Sequence, residues 1–104
     1  MASKKETLDF VLRQLEGIEE ISSRKMMGEY LIYYKAKVVG GIYDDRFLVK
    51  KTPGSTAILP DVAEEIPYEG AKPMLSLSDI IFDEHPENRN LMKKVFTAIF
   101  NDLK

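Results

Sequence analysis

The chain has 104 residues, 44% of them hydrophobic and 31% charged, with a net charge of −2; this is the make-up of one ordinary domain that can bury a core without disulfides or metals. It contains no cysteine, which excludes disulfide frameworks, thiol catalysis and zinc ribbons together. The N-terminal MASKKETLDF has no apolar signal-peptide core and no stretch approaches a membrane span of roughly 18 apolar residues, so a cytoplasmic protein without membrane contact is expected.

Ser3 and Glu6 stand at capping-box spacing, which predicts a helix start. Leu8, Val11, Leu12, Leu15 and Ile18 recur at the three-and-four spacing of one helical face. The helix is expected over about Lys4 to Glu16, with Gly17 as its left-handed terminator. Phe10 lies nearly opposite that stripe and is either a rim contact or part of a partner surface.

Glu19 to Ser23 reads as a linker. Arg24 to Lys51 then reads as a three-stranded antiparallel meander around which the rest is organised. Its first strand runs to Tyr34 and bends at Gly28. Lys35-Ala36 turns it into a second strand, Lys37 to Tyr43, and Asp44-Asp45 into a third, Arg46 to Lys51. Alternation sets Leu31 and Tyr33 on one face and Tyr30, Ile32 and Tyr34 on the other, and makes Phe47 and Val49 the core residues of the third strand. Gly40 and Gly41 are adjacent in mid-strand, where another group must lie close across the backbone.

Ser55 to Leu59 predicts a short helical turn closed by Pro60, and Asp61 to Glu65 an acidic helix or loop. Ile66 to Glu69 and Met74 to Leu77 predict two more strands, after which Ile80, Ile81 and Phe82 cross the sheet edge. Pro86 suits the first turn of a last helix, whose stripe is Leu91, Met92, Val95, Phe96, Ile99 and Leu103. The order α-β-β-β-α-β-β-α predicts a single α+β domain over 1–104, an antiparallel sheet of about five strands packed by N- and C-terminal helices.

Charge is unevenly spread. Arg24 to Lys51 holds seven basic residues and three acidic ones, while the remainder holds eight basic and fourteen acidic. Arg24, Lys25, Arg46 and Lys50 are therefore the candidate interaction surface for an anionic partner. The plainer reading, a solvated strand surface with edge lysines that discourage aggregation, is preferred. Direct nucleic-acid binding by the same surface is an alternative, with the net acidic charge against it.

Catalytic chemistry has little to work with. His85 is the only histidine, and no nucleophile elbow or phosphate-binding loop accompanies it. His85 with Asp83, Glu84 and Glu87 could form a crude metal site, but acids at a helix start are favoured by the helix dipole alone. Asp44 and Asp45 could share acid and base roles, yet on a hairpin tip they serve the turn and point apart into water. Tyr30, Tyr33, Tyr34 and Tyr43 could stack bases, although packing is the commoner use of aromatics at strand spacing. No catalytic residue, metal or cofactor is expected, and oligomeric state is left open.

Arg24-Lys25-Met26 with Gly28, Tyr30, Ile32 and Tyr33, then Asp45, Phe47, Leu48 and Lys50, then Gly70 and Lys72-Pro73-Met74, resembles the N-terminal domain of the TfoX/Sxy competence-regulator family. The resemblance covers nearly the whole chain and implies an α+β fold similar to secretion-chaperone-like folds. Met27 replaces a frequent Phe of that pattern and Ala36 a Gly of its first hairpin turn. Full-length regulators of this kind add a C-terminal domain, which is not found before Lys104. The resemblance implies a non-enzymatic transcription-accessory or protein-interaction module whose partner would be a transcription activator. A small-ligand pocket or an unrecognised enzyme is the remaining alternative.

Overall fold

Three hairpin turns decide how the chain folds. The computed structural model describes residues 3–83, 85 and 87–103. Met27 and Gly28 (φ 52° and 84°), Lys35 and Ala36 (51° and 67°), and Asp44 and Asp45 (53° and 60°) are all left-handed pairs. Two consecutive residues at positive φ make the tight turn whose twist matches that of paired strands. The turns link β1 (Ile21–Met26), β2 (Glu29–Tyr34), β3 (Lys37–Tyr43) and β4 (Arg46–Val49). Met26 consequently faces Glu29, Tyr34 faces Lys37 and Tyr43 faces Arg46 across their ladders.

The expected meander of three strands therefore has four. Met27-Gly28 is a complete reversal and not a bend within one strand, and Ile21 to Ser23 are strand residues, not linker. Two short strands, β5 (Glu64–Glu65) and β6 (Met74–Ser76), extend the sheet to six antiparallel strands in the order β1-β2-β3-β4-β6-β5. The strand expected over Ile66 to Glu69 does not form. β5 lies just before it, and 66–73 is an irregular connection.

Helix α1 (Lys5–Gln14) forms on the predicted stripe, and Gly17 has the expected positive φ of 95°. Its capping box does not form, because Ser3 is turned away into hydrogen bonds with the sheet. Helix α2 (Pro53–Ile58) starts earlier than expected because Thr52 and Ser55 form a reciprocal cap with Pro53 in the first turn. Ile80 and Ile81, expected only to cross the sheet edge, belong to a short helix, α3 (Ser78–Ile81). The last helix is α4 (Glu87–Asp102). Pro86, its expected opener, lies outside the described residues.

One apolar cluster fills the space between the sheet and the helices. Tyr30, Ile32, Tyr34, Ile42, Phe47, Val49 and Leu75 meet Leu8, Val11 and Leu15 of α1 and Met92, Val95, Phe96 and Ile99 of α4. Phe96 is the hinge of the aromatic packing, edge-on to Phe47 at 6.4 Å and tilted against Tyr34 at 6.1 Å. The ladder slips by one residue between Ile32 and Tyr33, so Val39 is a bulge and is fully buried. Phe10 is a rim contact, stacked on Phe82 at 5.1 Å. Among the described residues no helix is long and apolar enough to cross a membrane.

The left-handed turns carry strain wherever a side chain is present. Ala36→Gly removes the Cβ at φ 67° and is expected to stabilise the domain by about 1 kcal/mol. An increase in urea midpoint with unchanged slope checks this.

Candidate binding groove

The helices contribute their buried apolar residues to one side of the sheet, and the opposite face is organised by Tyr43. This residue is 7% exposed yet lies outside the main cluster. Its ring folds along the strand over Gly41, where a Cβ would stand 2.7 Å from Tyr43 Cε2 and from Tyr30 O. That close approach explains one of the paired glycines. At Gly40 a Cβ would meet Leu48 O of the neighbouring strand at 2.4 Å.

The connection 66–73 folds back over the same face. Arg46 secures it, donating to Glu65 Oε1 at 2.8 Å and to the carbonyls of Ile66 and Pro67 at 3.3 Å each. The guanidinium also donates to Tyr43 O at 3.1 Å. Its hydrogen bond, with a further one from Ser76, holds the Glu65 carboxyl below its ordinary value against partial burial. Tyr68 is thereby placed against Tyr43, with ring centroids 6.1 Å apart. Burial, with Tyr68 and Glu29 adding to it, raises the Tyr43 phenol above its usual value, so it remains a neutral donor. Leu48, expected to alternate outward, is fully buried on this face.

Tyr43, Pro67 and Tyr68 form a wall with a concavity on each side. The first, about 610 Å³, is lined by Met26, Met27, Leu31 and the wall, with Glu29, Asp44, Arg46 and Glu69 around it. The second, about 410 Å³, is flanked by Val38, Met74 and three cations, Lys50, Lys51 and Lys72. Met26, Met27 and Tyr68, which line the first, are three of the five exposed large apolar side chains among the described residues; Met27 is 92% exposed.

An N-terminal clasp fixes the rim of the first concavity. Ser3 N–H donates to Gly28 O at 3.0 Å and Ser3 Oγ to Glu29 Oε1 at 2.6 Å. Asp44 N–H donates to the same carboxylate at 3.0 Å. Asp45 does not point into water as expected: its carboxylate accepts from Lys4 N–H and Thr7 Oγ1, both at 2.8 Å. It thus caps α1 from a turn 41 positions away, replacing the local Ser3 box. These bonds hold its carboxyl below the ordinary 3.8.

The four predicted surface cations do not form one patch. Arg24 shares the groove face with its ladder partner Leu31, whereas Lys25, paired with Tyr30, belongs to the other face. Arg46 is the clamp described above, and Lys50 lies by the second concavity. Other charges of the stretch are also engaged: Lys51 pairs with Glu64 at 3.0 Å, and Lys37 lies 4.9 Å over the Phe100 ring. The four tyrosines divide between packing roles, with Tyr30 and Tyr34 in the core. His85 is exposed, 3.5 Å from Asp83 and 3.9 Å from Glu87; Glu84 lies outside the described residues. Among those described, no group of three or more His, Cys, Asp or Glu could hold a metal.

Gly41→Ala is expected to displace the Tyr43 ring and cost about 1–3 kcal/mol, visible as a lower urea midpoint with shifted Tyr43 and Tyr68 resonances. A depressed folded pKa contributes stability that is intact above the unfolded value and lost as pH falls through the folded one. Asp45→Asn should therefore be less stable than the parent at neutral pH, with the difference shrinking as pH falls below the ordinary carboxyl value and through the lowered folded one. Urea titrations at stepped pH measure that convergence.

An uncharacterized 12.7 kDa protein in the trpE 5' region of Spirochaeta aurantia is 29% identical to this chain over 99 residues, covering 95% of this chain and 85% of the relative. No family model matches the chain.

Proposed function

We propose that this chain is a non-enzymatic, cytoplasmic interaction module that holds a protein partner in the first concavity of its helix-free face. The observation that carries this reading is the grouping of exposed Met26, Met27 and Tyr68 around one apolar hollow with a charged rim. Isolated exposed apolar residues are ordinary, but a contiguous patch rimmed by polar groups is the physical mark of an association site. Met adapts to varied apolar surfaces and Tyr offers a rigid ring with a polar tip, which suits both to partner contact. The spaced positions that resemble the TfoX/Sxy N-terminal domain support a transcription-accessory role, with a transcription activator as the partner. The groove replaces the basic quartet as the contact surface, since Arg46 is committed to holding the 66–73 connection. Nucleic-acid binding has less support, because much of the meander's positive charge is spent on internal ion pairs and ring contacts.

A photo-crosslinking amino acid placed at Met27 or Tyr68 tests the reading in cells, with Lys94 on α4 as the control position. Discrete protein adducts from the groove positions, weakened several-fold by Met26→Ser, and a transcription activator among them on mass spectrometry, are expected. Adducts of equal yield from Lys94, or none from the groove, would refute it.

A further inference from the structure

We infer that the segment received by the first concavity is cationic: an apolar or aromatic residue flanked by Lys or Arg. This inference rests on the groove being the contact surface and adds the charge of what fills it. Around the apolar floor stand three carboxylates, Glu29, Asp44 and Glu69, and one cation, Arg46. Arg46 does not offset them, because its guanidinium is taken up by Glu65 at 2.8 Å and by backbone carbonyls. Arg24 shares this face as the ladder partner of Leu31 but is not among the residues that line the hollow. Two tyrosine rings, tilted by 52° to one another, border the same hollow. Aromatic faces beside carboxylates attract an ammonium or guanidinium group, while the apolar floor takes the adjoining side chain. The charge of the site is thus opposite to that of the basic stretch of sequence that builds it. Lys50, Lys51 and Lys72 lie beyond the tyrosine wall, in the second concavity.

Three probes test this on the whole chain: an acetylated peptide with a central Phe flanked by lysines, the same peptide with glutamates for the lysines, and a single-stranded oligothymidylate. Binding is read by anisotropy at two salt concentrations and located by amide shifts. The lysine peptide should bind at least about tenfold more tightly than the glutamate peptide and lose affinity with salt. It should shift the amides of Met27, Asp44 and Tyr68. Asp44→Asn with Glu69→Lys should erase that preference while leaving the thermal midpoint near the parent's, whereas Lys72→Glu should leave it unchanged. Equal affinity for both peptides, no binding of either, shifts confined to the second concavity, or preferential capture of the oligonucleotide in this groove would each overturn the inference. Groove-specific crosslinks to a protein would survive such a result, so failure of the charge assignment is distinguishable from failure of the interaction reading.

Discussion

Everything in this domain depends on the left-handed pairs at its hairpin turns. A two-residue reversal leaves no slack, so each turn fixes the register of its ladder, and a slip of one residue would send every side chain to the opposite face. With the registers set, Tyr30, Ile32 and Tyr34 must meet the helices, and Leu31 must lie on the face the helices leave bare. Five of the six turn positions are not glycine, so the turns are not self-stabilising, and the surrounding structure has to hold them. The clasp from Ser3, Lys4 and Thr7 to Gly28, Glu29 and Asp45 does this for two of the three. A charged turn residue that caps a distant helix stabilises both elements through one carboxylate.

Much of the architecture was legible in the sequence because it rests on periodicity. The stripes of α1 and α4, the division of β2 residues between two faces and the turns at Lys35-Ala36 and Asp44-Asp45 follow from spacing and short connections alone. What was not legible depends on partners distant in sequence. Met27-Gly28 lacks the Asn or Asp that advertises a tight reversal, so the hairpin looks like a bent strand. Ser3 and Glu6 have the right spacing for a cap, but the Ser3 hydroxyl is engaged by Glu29 and the Asp45 N–H, and the helix is capped one residue later. Ile66 to Glu69 has strand composition, yet the side chain of Arg46 draws its carbonyls out of any ladder. The groove was hidden for the same reason, since its walls come from the β1–β2 turn, β3, β4 and the 66–73 connection together.

Charge makes the point most sharply. Along the chain, Arg24 to Lys51 is a basic block, and a linear reading looks for an anion there. Folding redistributes that block: strand alternation parts Arg24 from Lys25, Glu65 neutralises Arg46, Glu64 pairs with Lys51, and aromatic rings receive Lys35 and Lys37. The acidic residues that remain beside the Met26–Met27 hollow come from separate places, Glu29 after one turn, Asp44 in another and Glu69 in the returning loop. Their potentials add because all three stand around one hollow, with the wall of Tyr43, Pro67 and Tyr68 beside them. The field a partner meets is therefore decided by which charges the fold leaves without an internal counter-ion, and around this hollow those are the carboxylates of Glu29, Asp44 and Glu69.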